Sequence, residues 1–155
     1  MKNLGMTALL ILSGFGCAMT YEAPRTTYQA APTHFAGSKA EILRASKLVL
    51  VAEGFQITSS DDSAGVISTA PKDLRLTPAD ADCGTTMGID YLKDNRTTTR
   101  VAFGVIAEDS RLTIKANIEG EYKPGAVDQN ITLTCVSRGV LERDMTTRIN
   151  ARAGR

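Results

Sequence analysis

The chain has 155 residues, 43% of them hydrophobic, and a formal charge of +1. That apolar content excludes a disordered chain, and the near-zero charge excludes a global attraction to polyanions. Aromatic residues make up 5% with no tryptophan, which counts against a sugar-stacking platform or a base-stacking nucleic-acid surface.

The first residues hold a single charge at Lys2, an apolar run from Leu4 to Phe15 centred on Leu9-Leu10-Ile11-Leu12, and small residues at Gly14 and Gly16. This is the three-part pattern of a secretory signal over residues 1–16. About a dozen apolar residues rise only about 18 Å as a helix, short of the roughly 30 Å hydrocarbon core, so the run is too brief for a permanent span. Gly14-Phe15-Gly16-Cys17 closes it.

That closing tetrapeptide resembles the bacterial lipoprotein signal, in which a small residue precedes a cysteine that takes a diacylglyceryl group. The family pattern places leucine three before the cysteine and a small residue two before it, where this chain has Gly14 and Phe15. The resemblance implies lipidation at Cys17 and, with Ala18 following, sorting to the outer membrane on its periplasmic face. The alternatives are ordinary cleavage after Gly16 or Ala18, a free or cross-linking thiol at Cys17, and a soluble periplasmic protein.

Residues 17–37 carry Pro24, Pro32 and many small polar residues without a helix or strand period. They read as a flexible tether. His34 lies there without cysteine or carboxylate at ligand spacing, so it gives no metal motif. Residues 38–155 form the expected single globular domain, long enough for a core.

Ser38-Lys39-Ala40-Glu41 is a capping box opening a helix to about Glu53, with Ile42, Ala45, Val49 and Ala52, joined by Leu43, Leu48 and Val51, as its apolar face. Gly54 ends it. Phe55–Ser59 and Val66–Ala70 then read as a hairpin around residues 60–65. Asp61 and Asp62 lack calcium-loop spacing and read as turn chemistry. Residues 71–84 form a long irregular loop bearing Asp80 and Asp82, paired carboxylates that could in principle do acid–base work, with no apolar pocket beside them.

Thr85–Leu92 reads as a strand with Met87, Ile89 and Tyr91 on one face and Cys83 in the same parity, and Ile131–Cys135 as another with Ile131, Leu133 and Cys135 inward. In an oxidising compartment this makes a Cys83–Cys135 disulfide the default; a catalytic thiol pair or two buried thiols are the alternatives. Thr97–Ala107 and Arg111–Glu121 give the strongest alternation, joined at Glu108-Asp109-Ser110.

A second helix spans Arg138 to Ala153, with Ser137 as cap and Leu141, Met145 and Ile149 as its stripe. Arg138, Arg143, Arg148 and Arg152 outnumber the acids there. They offer an anionic contact surface, or simply complement the helix dipole and keep the surface soluble.

The predicted fold is α+β: a single antiparallel sheet of five to six strands with two helices on one face, in the order helix, hairpin, meander, helix. That layout, carried by the Ser38–Gly54 helix running into Phe55–Ala70, resembles the helix-grip domains of the accessory lipoprotein in the outer-membrane β-barrel assembly machinery. No phosphate loop, serine elbow or metal-binding motif occurs, so no cofactor and no catalysis are expected. Three readings remain: an anchored adaptor or assembly factor binding an envelope protein, a periplasmic domain holding a small ligand or lipid between helices and sheet, and an enzyme on the 71–84 loop.

Overall fold

The structure is a computed structural model that describes residues 21–125 and 129–154. The expected leader and Cys17 lie outside the described residues. The strands are β1 Tyr21–Glu22, β2 Thr33–His34, β3 Ile57–Asp61, β4 Val66–Thr69, β5 Lys72–Asp73, β6 Ala81–Asp82, β7 Thr85–Thr86, β8 Ile89–Asp90, β9 Thr97–Glu108, β10 Arg111–Tyr122, β11 Ile131–Thr134 and β12 Val136–Ser137; the helices are α1 Lys39–Ala52 and α2 Val140–Ala153.

The single sheet of five to six strands is therefore overturned. Among the described residues twelve strands form three sheets. The largest has seven strands in the order β11-β10-β9-β4-β3, with β2 added on β10 and β5 on β9; β1-β7-β8 and β12-β6 are separate small sheets. The fold is mostly β, with two helices. The difference lies in strands of two residues. A two-residue strand carries no alternation to read, because what defines it is a partner far away in the chain.

The β9–β10 hairpin is the centre. Its strands pair along all twelve residues, from Glu108↔Arg111 at the turn to Thr97↔Tyr122 at the far end. Odd positions of β9 are buried. Opposite them Leu112, Ile114, Gly120 and Tyr122 of β10 face the same way. The two helices cover that side, α1 against β9 and α2 against β10.

Helix α1 opens on the capping box: Ser38 Oγ accepts from the Glu41 amide and Glu41 accepts from the Ser38 amide at 2.7 Å. Its buried stripe is Ile42, Leu43, Ala45, Ser46, Val49 and Leu50, so the inward face lies a step away from the expected one. Leu48 and Val51 are 44% and 60% exposed. Ser46 is admitted to the interior because its hydroxyl donates to the Ile42 carbonyl at 2.7 Å. Fully buried side chains such as Ile42, Leu50 and Ile149 stabilise the core by about 1.5–3 kcal/mol each.

The expected strand Thr85–Leu92 is instead a tight hairpin, β7 and β8, followed by a short 3₁₀ turn at Tyr91–Lys93. Met87 and Gly88 form the turn with φ of 50° and 77°. Only Tyr91 of the expected inward set is buried; it stacks edge-on against Tyr122, with ring centroids 5.0 Å apart. The 71–84 loop also contains structure. Lys72–Asp73 joins β9, and Ala81–Asp82 pairs with β12.

Cys83 and Cys135 are joined by a disulfide with an S–S distance of 2.01 Å. They directly follow and precede the Asp82↔Val136 pair, so the bond extends the β6–β12 pairing covalently. Gly120 makes the room. A Cβ there would stand 2.7 Å from Cys135 Sγ and 3.1 Å from Leu133 Cβ. Closing positions 52 apart removes unfolded-state entropy worth about 4 kcal/mol. Replacing both cysteines by alanine is expected to lower unfolding stability by about that amount, and Gly120→Ala by about 1–3 kcal/mol through overpacking; urea titrations check both.

Candidate binding groove at an open sheet edge

β10 has a complete partner on one side only. On its other side β2 covers Arg111 and Leu112, and β11 covers Glu119 to Tyr122. Among the described residues no strand pairs with residues 113–118 on that side. Main-chain groups alternate sides along a strand, and the Ala116 amide points to the open side, so those of Ile114 and Ile118 do too.

At Ala116 a side chain replaces the missing strand. Glu142, only 4% exposed, accepts the Ala116 amide at 3.2 Å through Oε1 and the Ser137 hydroxyl at 2.6 Å through Oε2. Ser137 Oγ in turn accepts from the Gly139 amide at 2.9 Å. Burial of a carboxylate is tolerated only with such donors. Ser137 was expected as the helix cap. The cap position belongs to Gly139, and α2 begins at Val140.

The stretch expected as a tether supplies the groove's outer wall. Residues 21–37 lead from the small sheet, where β1 pairs with β7, to this edge, where β2 pairs with β10 and the Phe35 amide donates to the Ser110 carbonyl. Asp82 clasps the strap midway. Its Oδ2 accepts the Arg25 and Thr26 amides, each at 3.1 Å, and its Oδ1 accepts the Gly84 amide at 3.0 Å. Burial pushes the Asp82 carboxyl up, but the Gly84, Thr26 and Arg25 donors outweigh it and hold it below the ordinary 3.8. Further along, the Tyr28 ring lies over Gly139, where a Cβ would come within 2.5 Å of it. With φ at 81°, that position needs glycine for its backbone as well. Burial pushes the Tyr28 phenol up, the Glu142 charge adds to this, and Arg143 opposes it.

Between strap and sheet lies a groove of about 690 Å³, lined by Tyr28, Ala30, Lys115, Asn117, Ile118 and Val136 among others. It continues onto the outer face at Ser68, Gly104 and Ile106, the last 42% exposed. A second hollow of about 740 Å³ lies on the same face, beside the exposed Arg100–Glu119 ion pair at 2.7 Å. Unpaired main-chain groups, apolar walls and a few polar side chains together suit an extended peptide.

The residues singled out in the sequence fall elsewhere. Arg138 faces Asp82 at 3.6 Å and Arg148 pairs with Glu53 at 2.5 Å. Arg152 lies near Arg44 on the α1 side, and Arg143 stands beside Tyr28, about 140° round the helix from Arg148. Asp80 accepts from the Thr77 amide and hydroxyl, and Asp61 from Ser63 and Ala64, each organising its own turn. His34 lies in β2 opposite Arg111. Glu142, Asp82 as a clasp, Tyr28 and Gly139 were not legible as a set. The one local signal was Glu142 at the third helical position, where a carboxylate meets amides.

Glu142→Ala is expected to cost about 2–3 kcal/mol by stranding the Ala116 and Ser137 donors. Glu142→Gln, which can still accept from Ala116 and donate to Ser137, is expected to cost less than half of that; urea midpoints of both variants check the order. Because the Asp82 carboxyl sits below 3.8 in the fold, its contribution is complete above that pH and is lost as pH falls beneath it. The protection factors of the Arg25 and Thr26 amides, measured against the intrinsic exchange rate at each pH, should therefore fall below pH 3.8, and in Asp82→Ala they should be low at neutral pH.

The chain matches no family model and no curated protein sequence. Among solved structures it is similar to a TBP-like protein from Parabacteroides distasonis ATCC 8503, at 16% identity and a TM-score of 0.44, over 81% of this chain and 82% of that one. A likeness so slight says nothing about fold or function.

Proposed function

We propose that this chain is a bacterial envelope lipoprotein, anchored through Cys17 at the periplasmic face of the outer membrane, whose domain is a non-catalytic adaptor. It receives an extended segment of another envelope protein along residues 113–118 of β10. The observation that carries this reading is the interrupted edge, where main-chain groups open into a groove instead of meeting a strand.

Bare sheet edges invite pairing with other chains, and proteins ordinarily cover or charge them. Here the strap and Glu142 keep the edge accessible while occupying part of it, which favours a chosen partner over indiscriminate pairing. The Cys83–Cys135 disulfide, with Cys83 fully buried, supports an oxidising compartment. The small-ligand reading needed a cleft between helices and sheet. That space is filled by Ile42, Leu50, Ile67, Val105 and Ile149, each fully buried.

A photocrosslinker at the exposed Asn117 in living cells is expected to capture one envelope protein, with none captured from the exposed Arg44 on α1, and Cys17→Ser is expected to reduce the yield. Equal capture from both positions, or none from Asn117, overturns the adaptor reading.

A further inference from the structure

The small sheet β1-β7-β8 ends in an apolar tip. Met87 is 79% exposed and Ile89 61%, and Tyr21 beside them is 47% exposed. The registers Tyr21↔Thr86 and Thr86↔Ile89 set Tyr21 and Ile89 on the same face of this sheet. Met87 heads the turn in left-handed backbone, a conformation that asparagine or glycine would adopt with less strain. Strain and solvent exposure are thus both spent to hold a large apolar side chain out at the tip.

The tip has a defined position relative to the proposed anchor. Three residues lie between Cys17 and Tyr21, so four chain steps span a contour of at most about 14 Å. β1 pairs with β7 in the hairpin that carries Met87. A lipid on Cys17 therefore holds Tyr21, and with it the start of this small sheet, within about 14 Å of the anchored cysteine, close to the bilayer surface. The charges nearby are mixed in sign: Glu22 pairs with Arg25 at 2.8 Å, Asp90 accepts from the Leu92 amide at 2.8 Å, and Lys93 ends the same turn. Apolar contact, not attraction to anionic headgroups, is what this surface offers.

We propose that the Met87–Ile89 hairpin, with Tyr21, is a membrane seat: it inserts into the phospholipid interface beside the acylated Cys17 and fixes the domain's orientation to the bilayer. The proposal rests on the lipid-anchor reading of Cys17, and the test separates the two.

The lipidated full-length protein is reconstituted in phosphatidylethanolamine–phosphatidylglycerol vesicles, and the mass of its Cys17 peptide is read first. Native Met87 is then challenged with a charged oxidant, and the chain's lack of tryptophan lets Met87→Trp and Asn117→Trp report each site alone. In the expected result Met87 oxidises several-fold more slowly than in Cys17→Ser, and the tryptophan at the tip shifts blue and loses most of its emission to brominated lipid. The groove probe stays in water. A lipid mass on Cys17 with unslowed oxidation and an unshifted tip overturns the seat and leaves the anchor standing, as does slowing without bromolipid quenching, which assigns the tip to a protein neighbour. Absence of lipid on Cys17 overturns the anchor and the seat with it.

Discussion

A strand of twelve residues has two edges, and β10 has a partner of its own length for only one of them. Each unpaired amide or carbonyl on the other edge must find water, a side chain or another piece of chain. The remaining architecture divides that task. β2 takes the end near the turn, β11 takes the far end, Glu142 takes Ala116, and Thr113, Lys115, Asn117 and Ile118 line the groove. The strap cannot close the gap as a strand because its course is set elsewhere, by Asp82 at Arg25 and Thr26 and by the Tyr28 ring on Gly139.

These supports depend on one another through a short region of chain. Asp82 pairs with Val136, Cys83 bonds to Cys135, and Ser137, next in line, donates to Glu142. The disulfide thus does more than close a loop. It holds the clasp for the strap and the filler for the edge in one place, so the groove's two walls are set by the same few residues. Such sharing predicts non-additive energetics when neighbours in this set are changed together.

The parts legible in the sequence were those whose cause is local. The Ser38–Glu41 box is complete within four residues, and the alternation from Thr97 to Tyr122 repeats often enough to mark both long strands. Cys83 and Cys135 were legible as a pair because few alternatives existed for them. The paired two-residue strands were not, since Tyr21–Glu22 becomes a strand only when Thr85–Thr86 lies beside it. Leu48 and Val51 misled because a broad apolar helix face leaves its rotation undetermined, and it was Ser46, able to satisfy itself on the helix backbone, that turned inward. Glu142 read as one more surface charge because its acceptor role depends on an edge the sequence does not announce.

In the proposed reading, the two ends of the strap have different work. Its start, at Tyr21, lies beside the apolar hairpin and a few residues from the acylated cysteine, whereas its middle, at Tyr28 to Ala30, forms the wall of the groove. The Asp82 clasp stands between them. Tension or displacement at the membrane would therefore reach the groove through Arg25 and Thr26, the two amides that Asp82 holds. A chain that merely tethered its domain would gain nothing from that clasp, since a free tether lets the domain turn in any direction. By binding the strap to the sheet, the fold gives up rotational freedom and gains a fixed direction in which its open edge is presented.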